Sequence, residues 1–138
     1  MPTLLEHGGN VALWAGWIMK MPASYHQRNE DGSWSAWGAD WTVDVQIIEI
    51  ASDATGKSVS PENLLGSDRK ITLSGTGWIG HEEQLKETDN GKSVFRLSGS
   101  LAAENTMMTC WVSYFKEEQL SFAHEIIGAI VHHAPNAV

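Results

Sequence analysis

A disulfide framework is the first thing this chain lacks, since Cys110 is its one cysteine. At 138 residues no such staple is needed, because a fold of this size buries roughly two-thirds of its unfolded surface. The setting of that cysteine, TMMTCWVSYF, is apolar and predicts a buried structural thiol. Basic residues are also scarce, nine against seventeen acidic ones, for a formal net charge of −8. That balance argues against a phosphate-binding surface, and so against nucleic acid, and suits a basic protein partner. No apolar run approaches the ~18 residues of a membrane span, and no membrane partner is expected. The segment MPTLLEHGGN carries no basic stretch and no small-residue cleavage site, so the expected location is cytoplasmic. Phenylalanine and tyrosine are few, three and two, whereas tryptophan reaches seven.

No internal repeat, linker or low-complexity tract divides the chain, and residues 1–138 are expected to form a single domain. VALWAGWIM nearly alternates with apolar residues on both faces, as in a strand covered on two sides. Asp31-Gly32 marks a turn. From Trp41 the alternation is clean, with Trp41, Val43, Val45 and Ile47 on one face. It then slips at Ile48, which predicts a β-bulge near Ile47–Ile48. Ser60 as N-cap, Pro61 in the first turn and Gly66 as terminator predict a short helix near 61–65. ITLSGTGWIG reads as a strand weakened by glycine. Asn90-Gly91 predicts a type I′ hairpin leading into a strand with Phe95, Leu97, Gly99 and Leu101 on one face. TMMTCWVSYF then gives a third consecutive antiparallel strand. The close, KEEQLSFAHEIIGAIVHH, shows a wide apolar arc at helical spacing and predicts a long helix lying across the sheet, stopped by Pro135.

Several motifs resemble chemistry without completing it. ASDATGKS ends like a phosphate loop, but the next helix begins only at Pro61, so the Lys57 turn cannot feed a helix N-terminus. Gly75-x-Gly77-x-x-Gly80 is a literal dinucleotide fingerprint followed by HEEQLKETDNG, a hairpin approach rather than an amphipathic helix; close backbone approach explains the glycines. His124-Glu125 lacks a second histidine one helical turn later, and His132 falls on the polar arc beside Glu125, so no metal site is expected. No nucleophile elbow is present and Cys110 lies mid-strand, so no catalytic residues and no cofactor are assigned, and the enzyme reading ranks below binding.

The tryptophans remain. Trp41 continues an apolar strand face, and Trp14, Trp17 and Trp111 sit in apolar strands, so all four are expected to line the interior. Trp34 and Trp37 lie in a Ser-, Ala- and Gly-rich approach to Trp41. They are the candidate binding residues, as a lid over the sheet edge or an exposed patch.

The closing sequence, with a strand like MMTCWVSYF, an acidic turn like KEEQ and a helix like SFAHEIIGAIVHH, resembles the end of PsbP-like α/β/α sandwich domains over about the last 45 residues. That resemblance implies a six- or seven-stranded sheet and binding or accessory roles. It carries over no functional residue, and the Trp-rich N-terminal part has no counterpart in it. The expectation is thus an α+β fold, an antiparallel meander sheet of six to seven strands with the long C-terminal helix across one face. The expected function is a non-enzymatic protein-interaction or accessory domain, inhibitor- or immunity-like, with self-association as a homodimer as a related form. The alternative is a small-ligand carrier with a Trp- and Met-lined pocket between helix and sheet, or an enzyme outside the familiar signatures.

Overall fold

The run VALWAGWIM, expected as one strand, turns back on itself in the computed structural model, which describes residues 9–21, 24–30, 32–50, 59–66 and 69–133. Gly9–Ala12 (β1) and Trp17–Met21 (β2) form an antiparallel hairpin. Ala15 and Gly16 make the bend with φ of 56° and 85°, and a Cβ on Gly16 would meet the His133 carbonyl. An apolar sequence hid a turn that only glycine fits.

His26–Glu30 (β3), Ser33–Trp37 (β4) and Trp41–Glu49 (β5) follow, β4 pairing antiparallel with both β3 and β5. The stretch SWSAW, expected as a lid or patch outside the sheet, is therefore itself a strand. Residues 51–58, which hold the phosphate-loop look-alike, lie outside the described residues, as does Pro135. The short helix Pro61–Leu65 (α1) starts as expected: Asn63 N–H donates to Ser60 Oγ at 3.3 Å, with Pro61 in the first turn.

ITLSGTGWIG, expected as one strand, splits into Leu73–Gly75 (β6) and the start of Trp78–Asp89 (β7). Gly77 makes the turn at φ 84°, and a Cβ on Gly75 would strike the Trp78 indole, so these glycines serve close approach. β7 and Lys92–Ala103 (β8) pair along their length around Asn90-Gly91, whose φ values of 50° and 75° fit the expected type I′ turn. Thr106–Tyr114 (β9) completes three consecutive antiparallel strands.

β5 pairs with β9 from Trp41↔Tyr114 to Glu49↔Thr106 without interruption, so the bulge expected at Ile47–Ile48 is absent. Ile48 instead points away from the core, 60% exposed. It heads an outward apolar row, in register with Met107, Ala102 and Ile79. Ala102 in that row is fully buried, and α1 packs on β7, β8 and β9. The apparent slip of phase marks a second, smaller apolar surface.

The C-terminal helix is shorter than expected. A 3-10 turn, Glu117–Gln119, runs into Leu120–Gly128 (α2), nine residues long. Val131–His132 (β10) then pairs with β2, and His132 N–H donates to the Thr76 carbonyl at 2.9 Å. The helical periodicity continues past Gly128, but Val131 finds a strand partner in Ile18, and tertiary pairing overrides the local preference.

The strands form a seven-stranded sheet, β3-β4-β5-β9-β8-β7-β6, and a three-stranded sheet, β1-β2-β10, which was not expected. A parallel bridge between Thr76 and Val131 ties the two at one edge. α2 packs against β2, β6, β8 and β9, so the small sheet and the helix together cover one face of the large sheet. One apolar cluster joins Trp17 and Met19 of β2, Trp34 of β4, Val43 and Val45 of β5, Leu97 and Leu101 of β8, and Ile126 and Ile127 of α2. Buried polar groups there are paired: Trp17 Nε1 donates to Thr106 Oγ1 at 3.0 Å, Thr106 Oγ1 donates to the Ile48 carbonyl at 2.9 Å, and Trp78 Nε1 donates to the Ile130 carbonyl at 2.7 Å. Among the described residues, no helix is long and apolar enough to cross a membrane.

Candidate functional site

The other face of the large sheet carries the candidate site. Strand alternation sends every second side chain of β5, β7, β8 and β9 outward, and register aligns those side chains in rows. One row runs Gln46, Thr109, Ser100 and His81; the next runs Asp44, Trp111, Ser98 and Glu83. Ser98, Ser100 and Thr109 are small, whereas Gln46, Trp111, His81 and Glu83 around them are large. The height difference, with Arg69 beyond α1 as a wall, leaves a cleft of about 360 Å³.

The polar groups at the rim of this face satisfy one another. Ser35 Oγ donates to Asp44 Oδ1 at 2.8 Å, and Arg96 Nε donates to Ser113 Oγ at 3.3 Å. Most of those lining the cleft differ, the exceptions being His81 and Glu83, which pair with each other. The side chains of Gln46, Ser98, Ser100 and Thr109, the Trp111 indole N–H and the Arg69 guanidinium make no hydrogen bond to another described residue. They retain spare donor and acceptor capacity beside an aromatic ring.

Ser100, His81 and Glu83 adjoin, which invites a Ser-His-acid reading. His81 Nδ1 faces the Lys70 carbonyl at 2.8 Å, and Nε2 lies 3.1 Å from Glu83 Oε1. Both ring nitrogens are engaged, so neither is placed to take a proton from Ser100, and the trio is not arranged as a nucleophile with its base. His124 Nδ1 sits 3.1 Å from Glu82 Oε2, on the opposite side of β7 from Glu83. Among the described residues no three His, Cys, Asp or Glu side chains gather as metal ligands.

The two candidate tryptophans part company on β4. Trp34 turns into the core, 1% exposed, with Nε1 donating to Gln27 Oε1 at 2.9 Å. Trp37, half-buried, stacks on His26 with centroids 5.8 Å apart. They form neither one patch nor a lid. Trp41 and Trp17 are buried as expected, and Trp14 packs against the core. Trp111 was expected inside and points outward instead. The sign was in its strand, where Thr109, Trp111 and Ser113 share one phase and Met108, Cys110, Val112 and Tyr114 the other. His132, expected on a polar helical arc, is buried in β10 with Nε2 2.8 Å from the Ala15 carbonyl. Burial lowers its pKa, opposed by that hydrogen bond and reinforced by His133.

No family model and no curated protein matches the chain. Its architecture is nonetheless shared. A crystal structure from Bacteroides thetaiotaomicron VPI-5482, at 1.50 Å resolution, superposes on 94% of the chain with a TM-score of 0.68 at 13% identity. The chain spans half the length of that protein. At this identity the likeness speaks for the fold alone.

Proposed function

We propose that this protein is a non-enzymatic accessory domain that works by binding, with the outer face of its large sheet as the recognition surface. The observation that carries this reading is the cleft in which the side chains of Ser98, Ser100, Thr109, Gln46 and Trp111 have no hydrogen-bond partner among the described residues, beside the paired His81 and Glu83. Side chains held on strands are positioned by the backbone ladder, so their order needs no ligand to create it. A carrier pocket between helix and sheet has less support. Phe122 packs on Trp41 with centroids 5.4 Å apart, and a Cβ on Gly99 would lie 3.2 Å from Ile127, so side chains fill that space.

Amide-shift mapping by NMR with a mixed library of neutral sugars, amino acids, nucleotides and short peptides tests the reading. Saturable shifts should cluster on residues 98–100 and 109–111. Shifts confined to the β3 edge or the Asn90-Gly91 tip would sink it.

A further inference from the structure

We infer that the cleft takes a neutral, hydroxyl-rich ligand, a saccharide ring or a polyol of similar size. This rests on the reading that the cleft is a binding site and adds the chemistry of what it binds. Three features lead to it.

The first is charge. Arg69 and Glu83 both line the cleft, and Asp44 stands at the far end of the Glu83 row, outside the lining. A phosphate or carboxylate would sit against the Glu83 carboxylate in a protein of net charge −8, and a cation would sit against Arg69. A neutral ligand meets neither penalty. The second is hydrogen-bond character. Ser98, Ser100 and Thr109 each donate and accept, Gln46 offers an amide of both kinds, Trp111 Nε1 and Arg69 only donate, and ionised Glu83 only accepts. Sugar hydroxyls are likewise donors and acceptors together, so a mixed set matches them where a carboxylate or an ammonium would use only half. The third is shape and polarity. A cleft of about 360 Å³ lies in the size range of small-ligand sites, but its lining is mainly polar, unlike the apolar lining usual for flat hydrophobic ligands. The half-buried Trp111 is an aromatic wall, suited to the C–H face that a pyranose or inositol ring presents between its hydroxyls.

The test titrates the whole protein with glucose, N-acetylglucosamine and myo-inositol as neutral probes, and with glucose 6-phosphate and glucuronate as charged counterparts. Tryptophan fluorescence and amide shifts are read together. At least one neutral probe should bind saturably with shifts at Ser98, Ser100 and Thr109. Trp111→Ala should weaken it about tenfold or more, and Ser100→Ala by a smaller factor. A preserved amide spectrum outside the cleft shows that each variant still folds. Binding of only the charged counterparts, or of only the amino acids, nucleotides or peptides of the mixed library, at those residues overturns the hydroxyl-rich ligand while leaving the cleft a binding site. No probe of any class at those residues overturns both. Binding that Trp111→Ala leaves unchanged, or shifts that map elsewhere, also overturns the inference.

Discussion

The two faces of the seven-stranded sheet are made by the same strands, yet they obey different rules. On the inner face Val43, Leu97, Leu101, Met108 and Val112 are fully buried, and the polar groups reaching the core, such as Trp17 Nε1 and Thr106 Oγ1, are matched one to one. In the cleft of the outer face, hydroxyls, an amide and an indole stand in register with no partner among the described residues. The inner face is closed by the helix and the small sheet, whereas on the outer face α1 covers one row and the cleft beside it stays open. Tryptophan shows the difference best: Trp17, Trp34, Trp41 and Trp78 hold the core, whereas Trp111 borders the cleft.

The largest effect that would break this comparison is a tryptophan truncation on each face. Trp78→Ala should cost about 3–5 kcal/mol in urea unfolding, because it removes a buried ring and a hydrogen bond to the Ile130 carbonyl. Trp111→Ala should cost about 1 kcal/mol or less, since the ring is only half-buried. Similar losses at both positions would mean that the outer face is structural after all. Thr106→Val comes next. It leaves the buried Trp17 N–H without its acceptor and should cost about 1–3 kcal/mol, whereas Thr109→Val on the outward phase of the same strand should cost well under half of that.

Smaller effects come from titration. The pKa of His132 is lowered in the folded protein, so the unfolded chain binds the proton more readily. Stability should therefore be full above the ordinary value near 6.5 and fall as pH drops through that value toward the lower folded one. The urea midpoint of His132→Gln should change less between about pH 7 and pH 5 than that of the parent; an identical slope would rule out His132 as the source. Cys110 gives the smallest signal. Burial, with Asp44 adding to it, pushes its thiol up to about 12, so iodoacetamide at neutral pH should leave it unmodified in the folded protein and react only after denaturation.

Legibility in the sequence followed the range of the cause. The Ser60-Pro61 helix start, the Asn90-Gly91 hairpin and the inward phase of Leu97 and Leu101 rest on neighbours within a few residues, and each was readable. The hairpin inside VALWAGWIM was not, because its turn residues Ala15 and Gly16 are hidden among apolar side chains and the reason for glycine, the His133 carbonyl, lies far along the chain. The C-terminal helix stops short of its apolar pattern because Val131 and His132 satisfy a helical pattern locally and a strand partner globally. The cleft escaped notice because its residues come from β5, β7, β8, β9 and the loop after α1. Only the outward phase of Thr109, Trp111 and Ser113 hinted at it.

By itself the amino-acid sequence determined an antiparallel α+β protein with a buried cysteine, a tryptophan-rich interior and the Asn90-Gly91 hairpin. Those properties follow from side-chain alternation, φ preference and hydrophobic burial, which act over a turn or a strand. Only the tertiary structure decided where the helix stops and which polar side chains share a cleft. Pairing between strands distant in sequence sets both, and no local pattern encodes it.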